Sequence, residues 1–165
     1  MKTDVMMPLR SLFGALVLLA GLGQAQAETV FTGEGTSCTS EGNPVRLHVT
    51  VSNLRSASGL VIVTVYGDNP ADFLASGKKL ARVRTPPRAG VTEVCIAVPQ
   101  RSSYAVALYH DENGDRRFNR NLVGMPTEGF GISNDAETTL GIPSYEAARF
   151  NGQPGDNRLS ITVRY

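Results

Sequence analysis

Between positions 45 and 54 apolar and polar residues alternate: Val45, Leu47, Val49 and Val51 against Arg46, His48, Thr50 and Ser52. A period of two turns one face of an extended chain to a core and the other to water, as in an antiparallel strand. Residues 59–66 form a denser β-branched run, which predicts a central strand covered on both faces. Ser56-Ala57-Ser58-Gly59 between the two predicts a short hairpin connection. Alternation returns over 79–85 and stops at Pro86-Pro87, which cannot continue a ladder. Residues 91–98 and 104–110 predict two further strands with a turn at 99–103. Residues 159–165 predict a last strand with Leu159, Ile161 and Val163 on one side. With 29–31 as an edge, the count is six or seven strands and no long helix. Half-apolar strands in that number predict a single all-β domain, two sheets packed as a sandwich.

The pattern fails between 111 and 157. These residues hold seven glycines, three prolines and six asparagines, with little periodicity. A structureless connection of that length is unusual in a compact domain, and such segments are functional or disordered. Phe118, Leu122, Val123, Met125, Phe130, Ile132, Tyr145 and Phe150 argue against disorder, because linkers lack so many apolar side chains. The segment also carries eight acids against four arginines. It is expected to be a long, ordered, acidic excursion before the last strand, with a short helical turn within 143–149.

Residues 1–27 have the pattern of a secretory signal peptide: Lys2 and Arg10 near the start, an apolar run over 11–22, and Ala25-Gln26-Ala27 at the cleavage position. The run is too short to span a bilayer. The expected domain is therefore 28–165, soluble and periplasmic or secreted, with no membrane span after cleavage. Export decides the reading of Cys38 and Cys95, the only cysteines. In an oxidising compartment their default is a disulfide between the N-terminal segment and an interior strand. A net charge of +1 with no basic stripe excludes a typical nucleic-acid binder.

The sharpest chemical signal is His110-Asp111-Glu112-Asn113-Gly114-Asp115, continued by Asn119 and Asn121. Asp111, Asn113 and Asp115 satisfy the D-x-N-x-D start of a calcium loop, in which alternate side chains converge on a hard cation. An EF-hand is excluded, because Arg116 stands where glycine is needed and Leu122 where a bidentate glutamate is needed. Two readings stay open. One is a looser, weaker calcium loop of Asp111, Asn113, Asp115 and Asn119; the other is a turn whose side chains satisfy its own backbone, with Arg116, Arg117 and Arg120 balancing the acids. Two histidines and bridged cysteines cannot assemble a zinc site. Gly131-Ile132-Ser133-Asn134-Asp135 lacks the second glycine of a serine-hydrolase elbow.

The blocks Tyr104-Ala105-Val106-Ala107, His110 to Asp115, Gly124 to Asn134, Pro143 to Phe150 and the last strand resemble an uncharacterised family of exported bacterial proteins, known as domain of unknown function 2141. Where that family often has a second glycine or asparagine step, this chain has Arg116-Arg117. The segment 98–104 also resembles the L-P-x-G-x-Y turn of transthyretin-like domains, with serine for glycine, so the sandwich is expected to be transthyretin- or immunoglobulin-like with about seven strands. The family name carries no activity. The expected function is a non-catalytic binding module for an envelope or extracellular protein or a glycan. Its candidate binding residues are His110, Glu128, Phe130, Ser133 and Asn134. The competing expectation is a hydrolase using His110 with Asp111, Glu112 or Glu128.

Overall fold

The computed structural model describes residues 38, 44–138 and 141–165. The leader and the edge expected at 29–31 lie outside the described residues. Seven strands form: β1 Val45–Leu54, β2 Leu60–Tyr66, β3 Ala81–Thr85, β4 Gly90–Val98, β5 Ala105–Asp111, β6 Gly129–Ile132 and β7 Gly155–Thr162. They make a three-stranded sheet in the order β4-β1-β7 and a four-stranded sheet in the order β3-β2-β5-β6. β1 runs antiparallel to β4 and parallel to β7.

The alternation of β1 works as its pattern requires: Val45, Leu47, Val49 and Val51 are buried. They meet Val61, Val63 and Val65 of β2, Val94, Ile96 and Val98 of β4, and Val106 and Leu108 of β5 in one inter-sheet core. β2 is buried along nearly its whole length, as its β-branched run predicts, because both faces of the larger sheet are covered.

Three expectations are corrected. Residues 55–59 do not close a hairpin: β1 and β2 lie in different sheets, so this short link is an arch between layers. A second strand, β6, divides the excursion expected to run unbroken to the last strand, and β7 itself begins at Gly155, inside its expected span. The disulfide-bearing strand β4 is an edge of its sheet, not an interior strand.

β6 exists because its inward positions are glycine. A Cβ on Gly131 would stand 2.7 Å from Ile161 Cγ2 and 2.9 Å from the Thr162 carbonyl oxygen, and one on Gly129 would strike the Tyr165 ring. With no side chains there, the edge of one sheet closes on the end of the other, and Phe130 bridges Arg164 backbone to backbone.

The arch from β4 to β5 is pinned by Tyr104. Its ring is fully buried, and its hydroxyl donates to the Pro99 carbonyl and accepts from the Arg101 amide, each at 2.8 Å. A tyrosine hydroxyl reaching back a few residues is a recurrent corner device of sandwiches.

Candidate functional site

Successive side chains in a strand point to opposite faces. On β5, Val106, Leu108 and His110 therefore turn into the inter-sheet core, whereas Ala107, Tyr109 and Asp111 lie on the outer face of the larger sheet. β6 pairs Phe130 with Tyr109 and Gly129 with His110. The next step out of that hairpin brings Glu128 across from Asp111, at the root of an arm formed by residues 112–128.

Asp111 is fully buried and shapes the turn. Its Oδ1 accepts the Asp115 amide at 3.1 Å and its Oδ2 the Arg116 amide at 2.7 Å. Asn113 Oδ1 accepts the same Asp115 amide at 3.0 Å, and Asp115 Oδ1 accepts the Arg117 amide at 2.8 Å. Asp115 Oδ2 accepts the Asn119 side-chain amide at 3.0 Å, the chief reason its carboxyl sits below the usual range. Gly114 and Arg116 take positive φ, 73° and 64°; at the second of these the turn imposes on an arginine a conformation that glycine adopts without cost.

Glu128 completes the group. Oxygens of Asp111, Asp115 and Glu128 all lie within 4.8 Å of one another. Glu128 is only 6% exposed; its Oε2 accepts the Asn119 amide at 3.0 Å, while its Oε1 is buried with no hydrogen-bond partner among the described residues. Desolvation, reinforced by the nearby Asp111, Asp115 and Glu112 carboxylates, raises its pKa against the opposing effect of the Asn119 amide. The sequence pattern placed Glu128 among binding residues and not with Asp111, Asn113, Asp115 and Asn119. Only the register of β5 on β6 joins it to them.

Beyond this root the arm is braced by aromatic packing and ends in an apolar tip. Phe118 stacks between Tyr109 and Phe130 at ring centroid distances of 5.5 and 5.6 Å, and the Arg120 guanidinium lies over Phe118. Asn121 organises the tip: its Oδ1 accepts the Val123 and Met125 amides at 3.1 and 2.9 Å, and its own amide donates to the Met125 carbonyl. Leu122, Val123 and Met125 are left 106%, 82% and 61% exposed.

The other expected site residues lie elsewhere. His110 is completely buried, with Nδ1 2.7 Å from the Tyr165 hydroxyl and Nε2 2.9 Å from the Ser58 carbonyl. The sheet separates it from Asp111 and Glu128. Glu112 is held by the Arg55 guanidinium and the Ser56 hydroxyl, and its pKa is lowered chiefly by Arg55. Phe130 is half-buried in the aromatic stack and not a bare loop tip.

Ser133 and Asn134 fasten the short helix α1, Tyr145–Ala148, onto the outer face of the larger sheet. Ser133 Oγ accepts the Val106 amide at 3.0 Å and donates to the Ala148 carbonyl at 2.6 Å. Asn134, at φ 63°, donates its side-chain amide to the Ala147 and Arg149 carbonyls. Helix α1 is the short turn expected within 143–149, capped by Ser144, and it buries Tyr145 and Ala148 against Ala105 and Ile132.

Cys38 and Cys95 are joined as expected, with Cα atoms 5.4 Å apart. The His48 ring lies 3.9 and 3.8 Å from their sulfurs and 3.0 Å from Asp156 Oδ1, on the far sheet from the arm. The sulfurs are spent in their bond, so this cluster offers no thiolate to a metal.

Tyr104 pairs with Phe150 in an isolated bridge, and Ser133-Asn134 grips the end of α1. No curated protein sequence and no solved structure matches the chain. A family model described as an uncharacterized protein conserved in bacteria (DUF2141) matches residues 49–160, more than half the sequence, and the chain belongs to that family.

Proposed function

We propose that the protein is an exported, non-catalytic interaction module that docks an envelope or extracellular protein through the tip of the 112–128 arm. The observation that carries this reading is the tip itself: Leu122, Val123 and Met125 stand in solvent on a turn that Asn121 holds in one shape. Contiguous exposed apolar residues mark interaction surfaces, and a pre-shaped loop loses little conformational freedom on docking. These side chains offer dispersion contact and no hydrogen bonds, which favours an apolar cleft on a protein over a glycan. Arg120, whose guanidinium donates to the Gly124 carbonyl, flanks the tip and suits a partner with an acidic rim. The cystine and the leader support export.

His110 lends the hydrolytic alternative no support. A general base must reach substrate, and this imidazole is enclosed with both nitrogens engaged. Of its expected partners, Asp111 and Glu128 belong to the opposite face of the sheet, and Glu112 is held by Arg55 and Ser56.

The test is site-specific photocrosslinking in the exporting cell. A photoreactive residue at Val123 is expected to give discrete adducts that Leu122→Ser with Met125→Ser removes, while one at Glu93 on the far sheet gives none. Equal adducts at both positions, or none at Val123, would overturn the docking role. Mass spectrometry of the exported chain is expected to find its N-terminus at Glu28; an uncleaved cytoplasmic chain would remove the export half of the proposal.

A further inference from the structure

We propose that Asp111, Asp115 and Glu128 form a divalent-cation site, selective for calcium, that clamps the root of the arm. The site does not depend on what the tip docks. Three carboxylate oxygens lie mutually within 4.8 Å, a spread one cation can span, since calcium–oxygen bonds are about 2.3–2.6 Å. The donors are all oxygens, which suits a hard cation and not zinc or copper. Three negative charges at close range repel one another, and a divalent ion would neutralise two of them.

A cluster of acids with a ring of hydrogen bonds would by itself be a self-satisfied turn, and most of this one is. Asp111 and Asp115 spend their oxygens on the turn's amides and on Asn119. Glu128 is the exception. It is buried, beside two other carboxylates, and one of its oxygens has no donor among the described residues. Burying a carboxylate oxygen without a partner is costly, and a structural turn has no use for it. A cation bound by Asp111 and Asp115 would give that oxygen its partner.

The geometry also answers the objection that excluded an EF-hand. A calcium loop of that type closes with a bidentate glutamate at its twelfth position, which here is Leu122. In this fold the chain runs on through the arm and returns as β6, and the antiparallel register delivers Glu128 to the mouth of the turn. The closing carboxylate comes from the neighbouring strand. Calcium is favoured over magnesium because it accepts irregular oxygen cages, whereas magnesium needs a near-octahedral one. Affinity on the order of 0.1–1 mM is expected, as in extracellular modules.

The experiment uses the oxidised exported chain, stripped with EDTA and titrated with calcium chloride. Tyr109, on the same face as Asp111, serves as sensitiser for a parallel terbium titration. Saturable terbium luminescence that calcium displaces, with a calcium-dependent rise in melting temperature, is the expected result. Glu128→Gln keeps the shape and the Asn119 contact while removing the charge. It is expected to melt at or above the wild type in EDTA, to lose the calcium-induced rise and to lose saturable luminescence. A wild type that shows neither response at tens of millimolar calcium would overturn the site. So would a Glu128→Gln variant that responds as the wild type does. Asp115→Asn, whose side chain lies outside the buried root, gives a second folded variant with the same expected loss.

Discussion

The arm at 112–128 and the return at 133–154 come from one glycine-rich, acidic stretch, and the fold treats them in opposite ways. In the return, polar side chains are spent on backbone. Ser133 joins β5 to α1, Asn134 binds two carbonyls at the end of the helix, and Asp135 accepts both the amide and the hydroxyl of Thr162. Tyr145 and Ala148 there go under cover, although Ile142 stays 69% exposed. The arm instead leaves a buried carboxylate oxygen with no donor among the described residues and the apolar residues of its tip, Leu122, Val123 and Met125, in water. Two segments of similar composition therefore differ in whether they complete their own contacts. The return closes the fold, and the arm leaves contacts open, as the proposed docking and cation-binding roles require.

That contrast is sharpest at Ser133. Ser133→Ala strands the Val106 amide and the Ala148 carbonyl, both buried, and is expected to cost roughly 3 kcal/mol of unfolding free energy. Urea denaturation of the oxidised chain measures it; a loss below about 1 kcal/mol would mean that α1 is dispensable to the sandwich and that the return is no more structural than the arm. Asn134→Gly comes next. Glycine keeps the positive φ without strain, so only two side-chain hydrogen bonds are lost, and about 1–2 kcal/mol is expected. In the arm, Leu122→Ser combined with Met125→Ser removes solvent-exposed apolar groups, and the unfolding free energy is expected to stay within about 0.5 kcal/mol of wild type. A large loss there would show the tip to be packing, and the distinction between the two segments would collapse.

The sandwich was legible because six of its seven strands advertise themselves, as by strict alternation at 45–54 or by β-branched density at 60–66. β6 was not, because Gly129 and Gly131 must be empty for the sheets to close, and an inward face without side chains has no hydrophobic period to read. The link at 55–59 was misread for a different reason. A five-residue connection suits a hairpin or an arch equally, and the partner strands that decide between them are remote in sequence. The acidic turn was visible as Asp111, Asn113, Asp115 and Asn119, since those residues are local. Glu128 joins them only through the pairing of His110 with Gly129, a strand register that composition does not encode. Ser133 and Asn134 stood out in sequence but as binding residues; the backbone groups they satisfy, at Val106 and at the end of α1, are remote in the chain.

The smallest expected effect tests where the return ends. Asp156 lies just inside β7 and anchors it to β1, its Oδ1 2.6 Å from Arg46 Nε and 3.0 Å from His48 Nε2. The Arg46 hydrogen bond, then that of His48, lowers its pKa from 3.8 to about 2. A carboxyl with a depressed folded-state pKa stabilises the fold above its unfolded value and loses that contribution as pH falls through the folded one. The wild type is therefore expected to melt slightly above Asp156→Asn at neutral pH, with the gap closing as the pH falls from about 4 to about 2. The pair is exposed, so the gap should be small and should shrink with added salt. Thermal melts of both chains across that range, at low and at high salt, measure it. A gap that persists unchanged at pH 2 would show that Asn disrupts the backbone entry to β7 directly, and that this last anchor of the return is steric and not electrostatic.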